Sequence, residues 1–473
     1  MVFSTSIFVF AFLPVFLGLY YAIPERYRYI WILAGSWIFY GWWRVDFLLL
    51  LVATTVWSYL FGRAIARFKD ERPDRARLIV ALAVVLNLGV LGYFKYANLG
   101  VDTLNALLDA LGVPVLTISR VILPIGISFY TFQATSYVVD VYRGDAPAGS
   151  DYAQVAAYIS LFPQLIAGPI LRYKNLEGQL RERKHSFEKF SHGALRFMVG
   201  FCKKVLIADT AGELVDQVFA LSEPGMVAAW LGAIGYAVQL YYDFTGYSDM
   251  AIGLGLMMGF RFIENFNRPY ISRSVTEFWR RWHISLSSWL RDYLYVPLGG
   301  NRKGRGRTYI NVMLVMLLGG LWHGAAWTFV AWGAWHGSFL MIERILRDRG
   351  AGPRLPAPLA IAGTMLVVVI GWVVFRAESF PVALGVYAGM LGLNGVAVGE
   401  RLLWQLSALP VVAIAVGMLL VYVEPLVSDV VHLPEDRSRA LPATVVAAIV
   451  PLFIVSIVKL SAQSFSPFLY FQF

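Results

Sequence analysis

The stretch TEFWRRWHISLSSWLRDYLYVPLGGNRK, residues 276–303, joins a dense cluster of arginine and tryptophan to a long apolar run. That run reads YINVMLVMLLGGLWHG over residues 309–324, so His323 stands inside a segment of membrane-spanning character. A second histidine, His283, lies upstream beside the arginines. Ionisable side chains are costly inside a bilayer and are usually kept there for function. The two segments therefore indicate a membrane protein with a polar site.

Outside this stretch, apolar runs recur from one end of the chain to the other. Of the 473 residues 58% are hydrophobic and 15% are charged, whereas soluble domains carry roughly 25% charged residues. This composition predicts an all-α polytopic membrane protein with roughly 10–12 transmembrane or re-entrant helices. The sequence shows no internal repeat and no soluble segment, so we expect a single membrane domain over residues 1–473. The clearest apolar runs cover residues 7–23, 47–61, 78–93, 121–139, 226–242, 355–375, 402–423 and 441–458.

The charge of the chain indicates its orientation in the membrane. The net charge of +10 is explained by the excess of Lys and Arg in cytoplasmic loops, and we expect no nucleic-acid partner. The basic loop at residues 63–77 should be cytoplasmic, which puts the N-terminus outside. The first apolar run lacks a basic leader and a cleavage site, so we expect a retained helix. The single cysteine, Cys202, excludes an internal disulfide and a cysteine-based metal site.

Two apolar runs contain proline and glycine, which interrupt a helix. They are residues 123–128 and 161–169, and interrupted helices at membrane depth occur where they are buried in protein or line a cavity; a packing kink is the alternative. Residues 190–207 look amphipathic, and we expect them to lie in the membrane interface. Asp243 and Asp249 flank Gly246 in an apolar stretch, and we expect each to pair with an arginine or a histidine.

His323 is the leading candidate for chemistry. Imidazole titrates near neutral pH and suits a general base, and Gly319, Gly320 and Gly324 should leave room for a ligand beside it. The alternative is an ordinary packed histidine. His283 lies 40 residues upstream, since 323 − 283 = 40, which is too far for two metal ligands on one helix turn. A site of both histidines with Asp243 or Asp249 stays open, although we predict no metal.

The basic block before the apolar run is a candidate binding site for a phosphorylated cofactor. Guanidinium groups bind phosphate through paired hydrogen bonds, and tryptophan faces can stack on adenine or on arginine. Positive-inside bias with an interfacial aromatic belt is the competing explanation. The candidate cofactor-binding residues are Arg280, Arg281, Trp282, Arg291, Asn301, Arg302 and Lys303.

Several segments together resemble the membrane-bound O-acyltransferases. The resemblance covers nearly the whole chain and is most specific over residues 240–340. Within the family it is nearest to the bacterial members that O-acetylate alginate. The segments that carry it are 243–253, 278–287, 289–295, 298–302 and 320–324, with 1–3, 92–98 and 123–130 in the N-terminal part.

The resemblance implies an acetyltransferase of the bacterial inner membrane. Its intramembrane catalytic histidine corresponds to His323, and a second site position corresponds to His283, which would position the thioester or stabilise charge. The family implies a central tunnel along which acetyl from cytosolic acetyl-CoA reaches periplasmic acetyltransferase partners for O-acetylation of an exopolysaccharide. Alginate is the expected polymer, with cellulose as an alternative. A polysaccharide or lipid transporter without covalent chemistry is the rival from another class, because interrupted helices also suit transporters.

Overall fold

The computed structural model describes residues 1–351, 355–399, 407–431, 442–462 and 469. In that part of the chain the secondary structure is helical and contains no strand, which confirms the all-α polytopic fold. The chain forms two compact units. Unit 1 comprises Met1–Phe190 with Leu254–Phe262, and unit 2 comprises Ser191–Gly253 with Ile263–Phe473. The expectation of one functional domain over the whole chain stays a prediction.

Unit 1 is built from eight α-helices with short connections. Phe8–Phe12 is a π-helical turn that leads into the first of them. Phe8, Phe16 and Phe39 form part of its fully buried aromatic core. The helices are α1 (Leu13–Ala22), α2 (Arg28–Gly41), α3 (Val45–Phe68), α4 (Pro73–Ala110), α5 (Ile127–Arg143), α6 (Tyr152–Ser160), α7 (Phe162–Leu165) and α8 (Tyr173–Arg181).

Both expected helix interruptions are present in unit 1. Helix α5 begins only at Ile127, because Gly126 adopts a left-handed conformation with φ of 75°. A side chain at Gly126 would also come within 2.6 Å of the Leu165 carbonyl oxygen. The predicted span over residues 121–139 was therefore wrong at its start, since residues 121–126 are not helical. Leu161 separates α6 from α7 with ψ of 108°, outside the helical region.

Unit 2 contains residues 276–324, the stretch with His283 and His323. It begins within α9, which is followed by a π-helical segment, Lys203–Ala208. Two seven-residue α-helices directly precede the long hairpin that carries His323. The helices are α9 (Phe187–Cys202), α10 (Asp209–Phe219), α11 (Met226–Met257), α12 (Val275–Arg281), α13 (Ile284–Leu290), α14 (Arg305–His323), α15 (Trp327–Asp348), α16 (Ala357–Arg376), α17 (Phe380–Met390), α18 (Ala408–Val431) and α19 (Ala443–Ala462).

Helices α14 and α15 form a tightly packed antiparallel hairpin. A Cβ on Gly333 would lie 2.4 Å from the Met316 carbonyl oxygen, and one on Gly320 would lie 2.2 Å from the Phe329 carbonyl oxygen. Small residues at facing positions let helix backbones approach closely, which is common in membrane proteins. This packing fixes the end of α14, and His323 is its last residue.

Four helices in the described part of the chain are long and apolar enough to cross a membrane. They are α3, α4, α16 and α19, and shorter apolar helices occur at Phe8–Ala22, Phe380–Met390 and Ala408–Val423. The chain is therefore a membrane protein with several apolar helices. The larger number of spans and the central tunnel stay predictions.

Candidate active site

His323 is enclosed by aromatic rings at the C-terminal end of α14. Its ring centroid lies 5.1 Å from that of Trp332 and 5.4 Å from that of Phe375, both in edge-on contact. The His323 side chain is 5% exposed. The ring centroid of His283 lies 6.2 Å from that of His323. The structure therefore brings together the two histidines that are 40 residues apart in sequence.

Two of the three glycines near His323 allow close helix packing and leave no space for a ligand. A Cβ on Gly324 would lie 2.0 Å from the Phe329 ring, and Gly320 contacts the backbone of α15 in the same close way. Only Gly319 lines an open space. The expectation that all three glycines leave room for a ligand was wrong for Gly320 and Gly324, because the hairpin partner already fills those positions.

A cavity of about 540 Å³ reaches His323, and we call it the His323 cavity. Aliphatic residues of α13 and α14 supply much of its wall, including Leu286, Leu290 and Val315. Cavities of this size suit small-molecule ligands, with few polar groups setting the orientation. The polar and aromatic residues on its wall include Trp279, Arg280, Ser287, Arg291, His323 and Trp332.

The structure separates the predicted cofactor-binding residues into two sets. Arg280 and Arg291 line the His323 cavity, and both are exposed. Arg291 also pairs with Asp292 at 2.8 Å. These two guanidinium groups are therefore able to meet an anionic ligand whose other end reaches toward His323.

The other predicted cofactor-binding residues are not among those that line this cavity. Trp282 is 2% exposed and packs against Phe278 and Tyr270 in stacked geometry. Arg281 pairs with Glu277 at 2.7 Å across one turn of α12. Asn301, Arg302 and Lys303 are exposed, and the Asn301 side chain accepts a hydrogen bond from Tyr295.

His283 occupies a backbone position that its sequence does not reveal. Its φ is 44°, in the left-handed region that is uncommon for non-glycine residues. It caps α13, and its Nδ1 lies 3.1 Å from Oδ1 of Asn265. The side chain is fully buried. Asn265 is thus a component of the site that sequence reasoning missed, because no motif marks it.

Helix α12, which carries Arg280, is anchored at its N-terminus by two carboxylates. Ser274 accepts a hydrogen bond from the Glu277 backbone N–H, and Glu277 accepts one from the Arg273 backbone N–H. Glu343 of α15 accepts from the backbone N–H groups of Val275 and Thr276 at 2.6 and 2.8 Å. A Ser-x-x-Glu pattern marks such a start in the sequence, whereas the Glu343 contact is visible only in the fold.

Asp249 has the expected arginine partner, whereas Asp243 pairs with a lysine, so the prediction of an arginine or histidine partner was wrong for Asp243. Asp249 accepts from Arg196 at 3.0 Å and from Lys203 at 2.9 Å, and Asp243 lies 2.7 Å from Nζ of Lys204. The placement of residues 190–207 in the membrane interface stays a prediction, but two of their cations are buried in the protein. Arg196 and Lys204 are each 2% exposed, because these buried acids neutralise them.

Residues 145–375 match the membrane-bound O-acyltransferase family. The matched range contains His283, His323 and every other predicted site residue.

Curated relatives match over much longer ranges. The chain is 51% identical over 501 residues to the probable alginate O-acetylase of Azotobacter vinelandii, and both chains are covered completely. It is 52% identical over 487 residues to the probable alginate O-acetylase of Pseudomonas putida, again with full coverage of both. A peptidoglycan O-acetyltransferase of Helicobacter pylori is 36% identical over 431 residues, which cover 84% of this chain and 81% of that protein.

Proposed function

Because the chain belongs to the membrane-bound O-acyltransferase family, we propose that it transfers acetyl from acetyl-CoA to a hydroxyl acceptor, with His323 as the general base. The family resemblance drawn from the sequence is confirmed, and the chain is an acyltransferase. This activity sets aside a transporter without covalent chemistry.

The single observation that carries the proposal is the cavity that joins His323 to Arg280 and Arg291. Arginines at an exposed position bind the phosphates of the donor, and the apolar wall accepts its acyl end. His323 removes the proton from the acceptor hydroxyl as the hydroxyl oxygen attacks the thioester carbonyl carbon. The carbon–sulfur bond then breaks, and the sulfur leaves as the thiol with the proton that His323 took from the hydroxyl. His283 lies beside the base, with its ring centroid 6.2 Å from that of His323, but it is not among the residues that line the cavity.

The acceptor belongs to an exopolysaccharide acetylation system, and we propose alginate as the polymer. Two relatives that are named as probable alginate O-acetylases match the whole chain at 51% and 52% identity. The relative named for peptidoglycan matches at 36%. Acetyl then passes to periplasmic acetyltransferase proteins of the same system, which complete the transfer to the polymer.

The donor enters from the cytosol of a bacterial cell, and the protein lies in the inner membrane with its N-terminus in the periplasm. The loop between α3 and α4 supports this orientation, because basic residues on both of its flanks favour the cytoplasmic side. Arg280 and Arg291 belong to a second basic block, which by the same rule faces the cytosolic pool of the donor.

The test is acetyl transfer from labelled acetyl-CoA by purified protein, with alginate acetate measured in cells that express each variant equally. Removing a general base costs about 10²–10⁴-fold in rate, so His323→Ala and His323→Gln should both lose transfer. His336→Gln is the matched control. His336 is fully buried and packs beside Trp332, but it is not among the residues that line the His323 cavity. Full transfer by His323→Gln would end the assignment.

A further inference from the structure

Asn265 makes several hydrogen bonds that fix the orientation of its side-chain amide. Its Oδ1 accepts from the Ser285 backbone N–H at 3.3 Å and from the Ser285 hydroxyl at 2.8 Å. Its Nδ2 donates to the Ser248 hydroxyl at 3.1 Å. Asn265, Ser285 and Ser248 are all at most 2% exposed. The amide orientation is therefore fixed by the backbone N–H, which can only donate.

The same oxygen faces the imidazole of His283. Oδ1 of Asn265 lies 3.1 Å from Nδ1 of His283. An amide oxygen has no proton to give, so an unprotonated Nδ1 would place two lone pairs against each other. The contact is a hydrogen bond only if Nδ1 carries the proton. The Ser285 hydroxyl also lies 3.4 Å from Nδ1, but it donates to the nearer Oδ1 of Asn265 at 2.8 Å. A neutral imidazole then has its lone pair on Nε2.

Nε2 of His283 is the ring nitrogen that remains available to a ligand. It is buried and has no hydrogen-bond partner among the residues that the structure describes. Buried polar atoms are normally paired, so this nitrogen beside His323 is left for a catalytic role, a water or a ligand group. The Asn265 backbone carbonyl also accepts from the Ile284 N–H at 2.8 Å, which braces the left-handed turn at His283.

We propose that Asn265 is a positioning residue that holds His283 in its Nδ1–H tautomer, so that Nε2 accepts a hydrogen bond from the hydroxyl of the acyl acceptor. This rests on the proposed acetyl transfer. A thioester carbonyl has no proton, and a developing oxyanion needs a donor, so this tautomer is unsuited to either. It suits a hydroxyl, which donates to Nε2 of His283 and is oriented while His323 serves as the base.

The experiment joins a spectroscopic measurement to steady-state kinetics. Protein labelled with ¹⁵N-histidine carries six histidines, and the His283 signals are assigned by their loss in His283→Gln. Wild type should show a protonated Nδ1 and an unprotonated Nε2. Asn265→Ala should lose this preference, whereas Asn265→Asp, which keeps an accepting oxygen, should retain it. Ser248→Ala is the matched control, because it removes only the bond on the far side of the amide.

Kinetics separates positioning from a general loss of structure. Asn265→Ala should lower kcat about 10- to 100-fold, with little change in the KM for acetyl-CoA. This range is the typical cost of removing a partner that orients a metal-bound histidine, and we carry it over to His283. Asn265→Asp should recover part of kcat, and Ser248→Ala should stay near wild type. A protonated Nε2 in wild-type His283, or equal kcat for Asn265→Ala and Ser248→Ala, would overturn the proposal. Absence of acetyl transfer in wild type would instead refute the proposed function, and the tautomer measurement would still stand.

Discussion

Arg280 and Arg291 are the predicted cofactor-binding residues whose side chains line the His323 cavity. Arg302 is exposed but lies outside the set that lines it. Removing one charge-assisted bond to phosphate costs about 1–3 kcal/mol. We therefore expect Arg280→Ala to raise the KM for acetyl-CoA about 5- to 150-fold by that free energy, while kcat changes little.

Arg302→Ala is the comparison for that measurement, because the sequence grouped the two arginines and the structure separates them. Its KM for acetyl-CoA should stay close to the wild-type value. Equal effects of the two substitutions would mean that the basic block acts through its overall charge. In that case the positive-inside explanation of these arginines would be the better one.

At the residue scale, the sequence was informative where a polar side chain stands in an apolar run, because its burial costs free energy. His323 is a polar residue in a long apolar run, and that contrast alone selected it. Asn265 could not be found in this way, because asparagine is common in loops. Its role depends on the left-handed φ of His283, which brings a side chain 18 positions away against Nδ1.

At the element scale, buried ion pairs connect α9 with α11. Arg196 contacts Asp249 at 3.0 Å and also Glu264, and Lys203 pairs with the same Asp249. Breaking a buried pair leaves an uncompensated charge, which costs about 3–5 kcal/mol. Because Lys203 still pairs with Asp249, we expect Arg196→Met to lower the unfolding free energy by less than that, but by more than the about 0–1 kcal/mol of an exposed pair, measured by thermal unfolding of protein in detergent.

A double substitution tests the cause of this loss. Arg196→Met with Asp249→Leu removes both charges of the most deeply buried pair and leaves Lys203, whose side chain is 18% exposed, so it should be less destabilised than the single variant. Arg44→Met serves as a surface control, because the Arg44–Asp46 pair is exposed and such pairs contribute about 0–1 kcal/mol. A single variant as stable as Arg44→Met would show that the buried pair contributes little.

Helices were predictable where proline, glycine or a long apolar run marks them in the sequence. Proline and glycine at residues 123–126 marked the interruption before α5, and the apolar runs marked α3, α4 and α16. The burial of Arg196 was not predictable from amphipathic spacing. A helix that faces the membrane interface and one that faces buried acids have the same pattern, and only the position of α11 separates them.

At the scale of the whole molecule, orientation in the membrane decides whether the donor can come from the cytosol. Helix α4 has 38 residues and is about 57 Å long at 1.5 Å per residue, which exceeds a hydrocarbon core of about 30 Å. Its two ends should therefore lie on opposite sides of the membrane. Asp70 precedes it in the basic loop, and Ser119 follows it in an exposed segment.

Cysteine labelling can test on which side of the membrane each end of α4 lies, because the chain has a single cysteine. Cys202 is buried, with the Ser456 hydroxyl 3.6 Å from its sulfur, so Cys202→Ser should keep acetylation near wild type and provide a cysteine-free background. In that background, a membrane-impermeant maleimide added to intact spheroplasts should label Ser119→Cys and spare Asp70→Cys. Asp70→Cys should become labelled only after the membrane is opened, because positive flanks hold its loop in the cytosol. The reverse pattern would place the N-terminus inside and remove the argument for a cytosolic donor.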